Sequence, residues 1–203
     1  MTGVFAVMNG LLPTLVQDPE ASLGLSAGES AWWILTPYAL AGLAMGPIAG
    51  RLAGTIGYRT VLRAGMLGTL VFVLLLAFTA GATTRVLVLL LSIAVGITYA
   101  GTVNIMLNGL GIVLSPKENP GFLPGLNAGA FNLGAGLSFA LLCAAAAAFE
   151  SDDPGSAAGY SAGMFAGAVI IGLALAASLL IPRPVDAEEH TPVSRSAAGT
   201  GRA

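Results

Sequence analysis

The sequence predicts an all-α integral membrane protein with six transmembrane helices, and three observations lead to that prediction. The chain has 203 residues, of which 56% are hydrophobic and 9% are charged, whereas soluble domains carry about 25% charged residues. Its mean hydropathy is +0.86. Its apolar residues form long continuous runs, unlike the alternating segments of about ten residues that are typical of transmembrane β-strands.

Six apolar runs are candidates for spans, since a helix of about 20 residues crosses the roughly 30 Å of hydrocarbon in a bilayer. Together they predict one transmembrane domain over residues 1–181, with spans at about 4–16, 31–50, 60–80, 86–108, 122–149 and 160–181. The first run is short, with a helical rise of about 20 Å. We interpret it as part of a longer transmembrane helix; a re-entrant or interfacial segment is the alternative. Residues 182–203 are polar and rich in Pro, Ser and Thr, which predicts a disordered tail.

The basic residues predict the orientation of these spans. Six spans place three regions on the same side: the loop between spans two and three, the loop between spans four and five, and the tail. Those regions contain all the Lys and Arg residues except Arg85, namely Arg51, Arg59, Arg63, Lys117, Arg183, Arg195 and Arg202. Because Lys and Arg concentrate in cytoplasmic loops, we expect a multi-pass protein of the cell membrane with both termini in the cytoplasm.

The loop between spans two and three carries a recognisable pattern, G-x-x-x-G-R-x-x-x-x-x-G-x-R, formed by Gly46, Gly50, Arg51, Gly57 and Arg59. It resembles the signature loop that major facilitator superfamily transporters carry between their second and third helices and repeat between the eighth and ninth. The family's usual acidic residue is replaced here by Gly54, and its frequent basic residue by Thr55. The physical interpretation of the loop is a tight turn with close helix approach, or simply a topology anchor.

The surroundings are similar to the second copy of this loop. The first span ends in L-P-x-x-x-Q, and the run NPGFLPGLNAGAFNLGAGLSFA resembles the eleventh-helix region of the drug:proton antiporter branch. The resemblance covers about residues 5–181 and implies the C-terminal six-helix half of such a transporter. It implies efflux of small amphipathic molecules by alternating access, in which two halves rock around a central site. The expected partners are the lipid bilayer, a small-molecule substrate, and either a missing N-terminal half or a second copy.

Two further interpretations remain open: a half-size transporter that works as a homodimer, and a non-transporting membrane scaffold or inactive remnant. An enzyme is not expected, since the chain has no nucleophile–base spacing, phosphate loop or CxxC motif. No basic stripe indicates nucleic-acid binding. We expect no cofactor and no metal site, because the Glu188–His190 run in the tail is explained as a solvated charge run.

Neutral polar residues concentrate in spans one, two, four and five, and no Asp, Glu, Lys, Arg or His lies deep in any span. Polar side chains are costly in lipid unless they face protein or water. We therefore expect these four spans to line an interior and spans three and six to face lipid. The candidate residues for a substrate cavity are Asn9, Gln17, Tyr38, Asn104, Asn108 and Asn132.

Two pairs of alternatives apply to these candidates. Asn104 and Asn108 are four residues apart and share a helical face, so they present two amides either to a substrate or to a neighbouring helix. Asn132 shares a small-residue face with Gly125, Gly129 and Gly136. That face predicts close helix packing, with Asn132 at a cavity as the alternative.

Overall fold

The computed structural model describes residues 1–116, 118–153 and 155–180. Within these ranges the chain is helical and contains no strand. Six helices follow one another: α1 (Thr2–Gln17), α2 (Ala27–Ile56), α3 (Tyr58–Phe78), α4 (Arg85–Val113), α5 (Phe122–Ala148) and α6 (Ala158–Ser178). Five of them, α2 to α6, are long and apolar enough to cross a membrane. The shorter α1 has 16 residues and a rise of about 24 Å.

Local signals explain where the long helices begin and turn. Ser26 starts α2 with a capping box, in which its hydroxyl accepts from the Glu29 N–H and its own N–H donates to the Glu29 carboxylate. The Thr84 hydroxyl caps α4 by accepting from the Leu87 N–H at 3.2 Å. These contacts satisfy backbone donors that a helix start would leave free, so both helices begin outside the apolar runs.

The structure corrects the prediction that Arg51, Arg59 and Arg63 lie in a loop. Helix α2 continues to Ile56 and α3 begins at Tyr58, so the connection is Gly57 alone, with φ +88°. A residue with a Cβ rarely adopts this backbone conformation, and glycine therefore lets two helices meet at one residue. Arg51 lies in the last turns of α2, and Arg59 and Arg63 in the first turns of α3.

We name the two ends of the bundle by their charges. The basic end is where α2 meets α3, with Arg51, Arg59 and Arg63. The acidic end is formed by the α1–α2 and α5–α6 connections, with Asp18, Glu20 and Glu150 among others. Lys117 and the tail from residue 181 lie outside the described residues. They include four of the seven basic residues from which the orientation is predicted.

Helices α2 and α4 pack tightly through glycines on both sides. A Cβ on Gly42 would lie 2.6 Å from the Ala100 Cβ, and one on Gly101 would lie 2.7 Å from the Gly42 carbonyl oxygen. Such contacts leave no room for a side chain, which is how small residues bring membrane helices close together. The same principle brings α1 against α6, where a Cβ on Gly3 would lie 3.1 Å from the Gly167 carbonyl oxygen.

Helices α3 and α6 are joined at both ends by hydrogen bonds. The Arg63 guanidinium donates to the Ser178 carbonyl at 2.9 Å, and the Ser161 hydroxyl donates to the Ala77 carbonyl at 2.7 Å. The core between the helices is apolar; its largest fully buried side chains include Met8, Leu12, Leu62, Met106, Leu142, Met164 and Ile171. Helices α2 and α5, in contrast, bury few residues, and α5 buries only Ala135, Ser138 and Leu142 among those described.

Candidate substrate-facing surface

Three of the helices contain a π-helical segment, in each case with a polar side chain that satisfies a backbone carbonyl of the widened turn. In α1 the segment is Val7–Leu11, and the Asn9 amide donates to the Phe5 carbonyl at 3.0 Å. In α2 and α4 the donors are Thr36, to the Ala31 carbonyl at 3.3 Å, and Thr102, to the Ile97 carbonyl at 2.8 Å. π-Helical turns are frequent at functional sites, and these three lie in helices that the sequence predicts to line an interior.

A network of amides joins α4 to α5. The Asn108 Nδ2 donates to the Asn104 carbonyl at 3.0 Å and lies 3.3 Å from the Asn104 Oδ1. The Asn127 Nδ2 donates to the Asn108 Oδ1 at 3.3 Å. Asn104 and Asn108 are exposed and Asn127 is half-buried. The network therefore combines the two alternatives for Asn104 and Asn108, since it contacts a neighbouring helix and still presents polar atoms at the surface.

The small-residue face of α5 is open, so no helix of the described chain makes the close packing that the sequence predicts for it. A Cβ on Gly125, Gly129 or Gly136 would meet no atom of the described chain within 4 Å. Asn132, on the same face, is exposed. The reason is that α5 contacts α1 and α6 through its other side, around Ser138 and Leu142.

The other two cavity candidates lie within helix contacts. The Gln17 amide donates to the Pro13 carbonyl at 2.9 Å and lies 3.4 Å from the Ser30 hydroxyl, so it connects α1 to α2 at the acidic end. Tyr38 is half-buried beside α4, where a Cβ on Gly96 would overlap the Tyr38 carbonyl. Asn9, by contrast, is exposed. Among the six candidates, Asn9, Asn104, Asn108 and Asn132 are therefore the accessible ones.

The glycines and the arginines of the signature pattern differ in their surroundings. Gly46 packs against α4, where its Cβ would lie 3.7 Å from Ile105, whereas a Cβ on Gly50 would meet no atom within 4 Å in the part of the chain that the structure describes. Arg51 is exposed and Arg59 is half-buried. The Arg59 Nε is buried and has no hydrogen-bond partner among the described residues. The pattern thus builds the turn at Gly57 and a basic surface around it.

An aromatic cluster between α1 and α5 was missed by the sequence analysis. The Phe5 ring lies 5.4 Å from the Phe131 ring at 73° and 6.1 Å from the Phe139 ring at 87°. All three rings are half-buried. Phe131 and Phe139 are eight residues apart, which is compatible with one helical face, but nothing in the sequence indicates that this face meets Phe5 on a remote helix. The sequence signals were Asn9, one helical turn from Phe5, and Asn132, next to Phe131.

A cavity of about 410 Å³ opens at the acidic end between α1, α5 and α6, and its lining includes Asp18, Glu20, Glu150 and Asp153. The Asp18 carboxylate accepts from the backbone N–H of Glu20 and of Ala21, and from the Tyr160 hydroxyl at 3.0 Å. The Ala21 and Glu20 N–H groups lower the pKa of Asp18 from its usual value. Within the described residues no group of His, Cys, Asp and Glu side chains could hold a metal ion.

Comparison with known proteins identifies the family. The sequence model of the Major Facilitator Superfamily matches residues 1–200. A uridine/deoxyuridine transporter of Lactococcus lactis subsp. cremoris is 50% identical over 186 residues, which are 92% of this chain and 39% of that protein. The chain therefore spans about two fifths of the length of this relative. No solved structure was found to match the chain. With a match over nearly its whole length, this membrane protein belongs to the Major Facilitator Superfamily, a family of transporters and not of enzymes.

Proposed function

We propose that the chain forms one six-helix half of a transporter that moves a nucleoside such as uridine. Family membership and the apolar helices make the chain a multi-pass protein of the cell membrane. The observation that carries the proposal is the amide network of Asn104, Asn108 and Asn127, in which Asn104 and Asn108 are exposed. An unsatisfied polar group in hydrocarbon costs several kcal/mol, so this surface suits water, a polar substrate or another protein better than lipid.

The opposite side of the bundle supports this assignment. Large apolar residues are exposed on most of the helices, but α3 and α6 expose them without any Asn or Gln; those of α3 and α6 include Leu67, Val71, Leu75, Phe78, Val169 and Leu173. Such a surface suits acyl chains. We therefore propose that α3 and α6 face lipid and that α1, α2, α4 and α5 face the substrate route.

A nucleoside suits this surface better than the amphipathic drug that the sequence motifs implied. A nucleoside carries several hydrogen-bond donors and acceptors, and a carboxamide offers both. The Lactococcus relative is named as a transporter of uridine and deoxyuridine. Efflux and membership of the drug:proton antiporter branch remain predictions from the loop and the Gly-rich run.

One six-helix body forms only one wall of an alternating-access site. The open face of α5, with no atom of the described chain within 4 Å of a Cβ on Gly125, Gly129 or Gly136, is suited to a second body. We propose that this body is the other half of a twelve-helix transporter, equivalent to the part of the Lactococcus protein outside the matched segment. A second copy of the chain is the alternative.

The experiment is complementation of uridine uptake. The chain is expressed in a bacterial strain that cannot take up uridine, either alone or together with the unmatched part of the Lactococcus transporter. We expect uptake of radiolabelled uridine when both parts are present, and none from either part alone. Uptake by the chain alone would favour the homodimer, and crosslinking in membranes would then detect dimers. Background uptake from both parts, with both in the membrane, would contradict the proposal.

The amide network is tested in the same assay. The double variant Asn104→Leu with Asn108→Leu removes both amides, and we expect uridine uptake to fall about fivefold to 150-fold, since each lost hydrogen bond costs about 0.5–1.5 kcal/mol. Asn119→Leu makes the same change in the α4–α5 connection and serves as the control. Equal uptake by the double variant and the control would remove the network from the route.

A further inference from the structure

The aromatic cluster of Phe5, Phe131 and Phe139 lies at the depth expected for a substrate. Phe5 is 12 residues from the acidic end of α1 at Gln17, which is about 18 Å along the helix, and Phe131 is nine residues from Phe122 at the basic end, about 14 Å. Both positions are near the middle of a hydrocarbon layer about 30 Å thick. Since the three rings are half-buried, part of the cluster remains accessible.

An amide accompanies the cluster. Asn9 is one turn from Phe5, and one of its N–H groups donates to the Phe5 carbonyl at 3.0 Å. That bond fixes the orientation of the side chain. The Asn9 Oδ1 and the second N–H make no further hydrogen bond within the described residues, and the side chain is exposed. The carboxamide therefore offers an acceptor and a donor next to aromatic surface.

Gly10 allows this arrangement. A Cβ at Gly10 would overlap the ring of Phe139, so only glycine lets the ring lie directly against α1. The π-helical segment Val7–Leu11 contains both Asn9 and Gly10. The widened turn thus places the amide and the aromatic contact in one short stretch of α1.

A second aromatic pair in the chain shows that edge contact between rings alone does not make such a site. The Phe78 and Phe165 rings lie 4.9 Å apart at 86°, between α3 and α6. No Asn or Gln lies within four residues of either ring in the sequence. This pair has the ring geometry of the cluster and lacks the amide, so it provides a matched control.

We propose that Phe5, Phe131 and Phe139, together with Asn9, bind the base of a pyrimidine nucleoside. The inference rests on the proposed function and adds the residues that recognise the base. A planar base stacks on accessible aromatic surface, and the carboxamide of Asn9 pairs with the C=O and N–H groups on the imide edge of uracil. The sugar extends away from the rings, toward polar side chains such as Asn132.

The experiment measures binding of radiolabelled uridine to membranes that contain the chain and the complementing part of the Lactococcus transporter. Phe131→Leu removes a ring and keeps an apolar side chain, and we expect uridine to bind about fivefold to 150-fold more weakly, the range for loss of one stacked base contact. Phe131→Tyr keeps the ring, and we expect it to bind within about twofold of the unchanged protein. Phe165→Leu makes the same change in the control pair and should leave binding unchanged.

The role of Asn9 is tested with N3-methyluridine, which lacks the imide N–H. We expect the unchanged protein to bind uridine about tenfold more tightly than N3-methyluridine, since one hydrogen bond is lost. Asn9→Leu should bind both ligands equally. A purely structural role for Asn9 would lower both affinities and preserve their ratio. Thermal unfolding of each variant checks that it is folded.

The outcomes separate the two proposals. If the unchanged protein binds no uridine, the proposed function is wrong and the base site is wrong with it. If uridine binds and Phe131→Leu equals Phe165→Leu, or if Asn9→Leu keeps the preference for uridine, only the base site is wrong.

Discussion

Replacing Gly101 by alanine tests whether the contact between α2 and α4 determines the stability of the bundle. A methyl group at Gly101 would lie 2.7 Å from the Gly42 carbonyl oxygen and 2.6 Å from the Met45 Cβ. Ordinary van der Waals contact begins near 3.4 Å, so the oxygen would have to move by about 3.4 − 2.7 = 0.7 Å. The oxygen belongs to the backbone and cannot rotate away, which means that α2 itself has to shift.

The size of the effect follows from this overlap. Adding a methyl group to a well-packed contact costs about 1–3 kcal/mol. For a domain of this size, 1 kcal/mol corresponds to about 2–4 °C in Tm, so we expect Gly101→Ala to lower Tm by about 2–12 °C. Gly172→Ala is the matched control, because a Cβ at Gly172 meets no atom of residues 1–116, 118–153 or 155–180 within 4 Å. Alanine favours helix over glycine by up to about 1 kcal/mol, so the control should be unchanged or more stable.

The assay is thermal unfolding in detergent micelles, followed by tryptophan fluorescence. Trp32 and Trp33 both lie in α2, so their emission reports on the helix that has to move. Asn104 is three residues beyond Gly101 on α4, and uridine uptake in the complementation assay should therefore fall as well. Equal Tm values for Gly101→Ala and Gly172→Ala would refute the reasoning, since they would show that the crossing of α2 and α4 has room for a side chain.

Three further predictions concern the ends of the bundle. Arg63→Gln removes the guanidinium that ties α3 to the end of α6, and Tm should fall by about 2–6 °C, whereas Arg51→Gln, on an exposed side chain, should have no effect. Tyr160→Phe removes the donor to Asp18 and should lower Tm by about 2–4 °C at pH 7. Because the pKa of Asp18 is lowered, its carboxylate stabilises the fold above pH 3.8, and the difference should disappear as the pH falls below that value. A reporter fused at residue 155 should be outside the cell and one fused after the last residue in the cytoplasm; the reverse would overturn the proposed orientation.

The sequence was sufficient to predict the class of fold, because a helix that crosses a bilayer must contain a long apolar run. It was insufficient at the turn between α2 and α3. There, three arginines and several glycines indicated a loop, but helix formation continued through Arg51 and resumed before Arg59. The decisive property was the backbone angle of Gly57, φ +88°. This angle depends on how the two helices pack, and the composition of the segment does not reveal it.

The candidate site was predictable in part, for a related reason. Asn104 and Asn108 could be paired by their spacing of four, which holds in any α-helix. Their contact with Asn127, and the contact of Phe5 with Phe131, depend on the separation and rotation of two helices that are remote in sequence. The three π-helical segments are also invisible to helical periodicity, since each shifts the phase of the residues that follow it.

The distribution of polarity on the bundle argues that this chain functions against a second protein body. Asn9, Asn104, Asn108 and Asn132 are exposed on apolar helices, and hydrocarbon offers an amide no hydrogen-bond partner, whereas the exposed large residues of α3 and α6 are apolar and include no amide. A bundle surrounded by lipid on every side would expose those four amides to hydrocarbon at a cost of several kcal/mol. If a second body encloses a water-filled route, the amides do not face hydrocarbon, and they are free to bind a polar ligand. The open Gly125–Gly136 face of α5 supplies the contact surface that such a body needs, next to the aromatic cluster that we propose for the base.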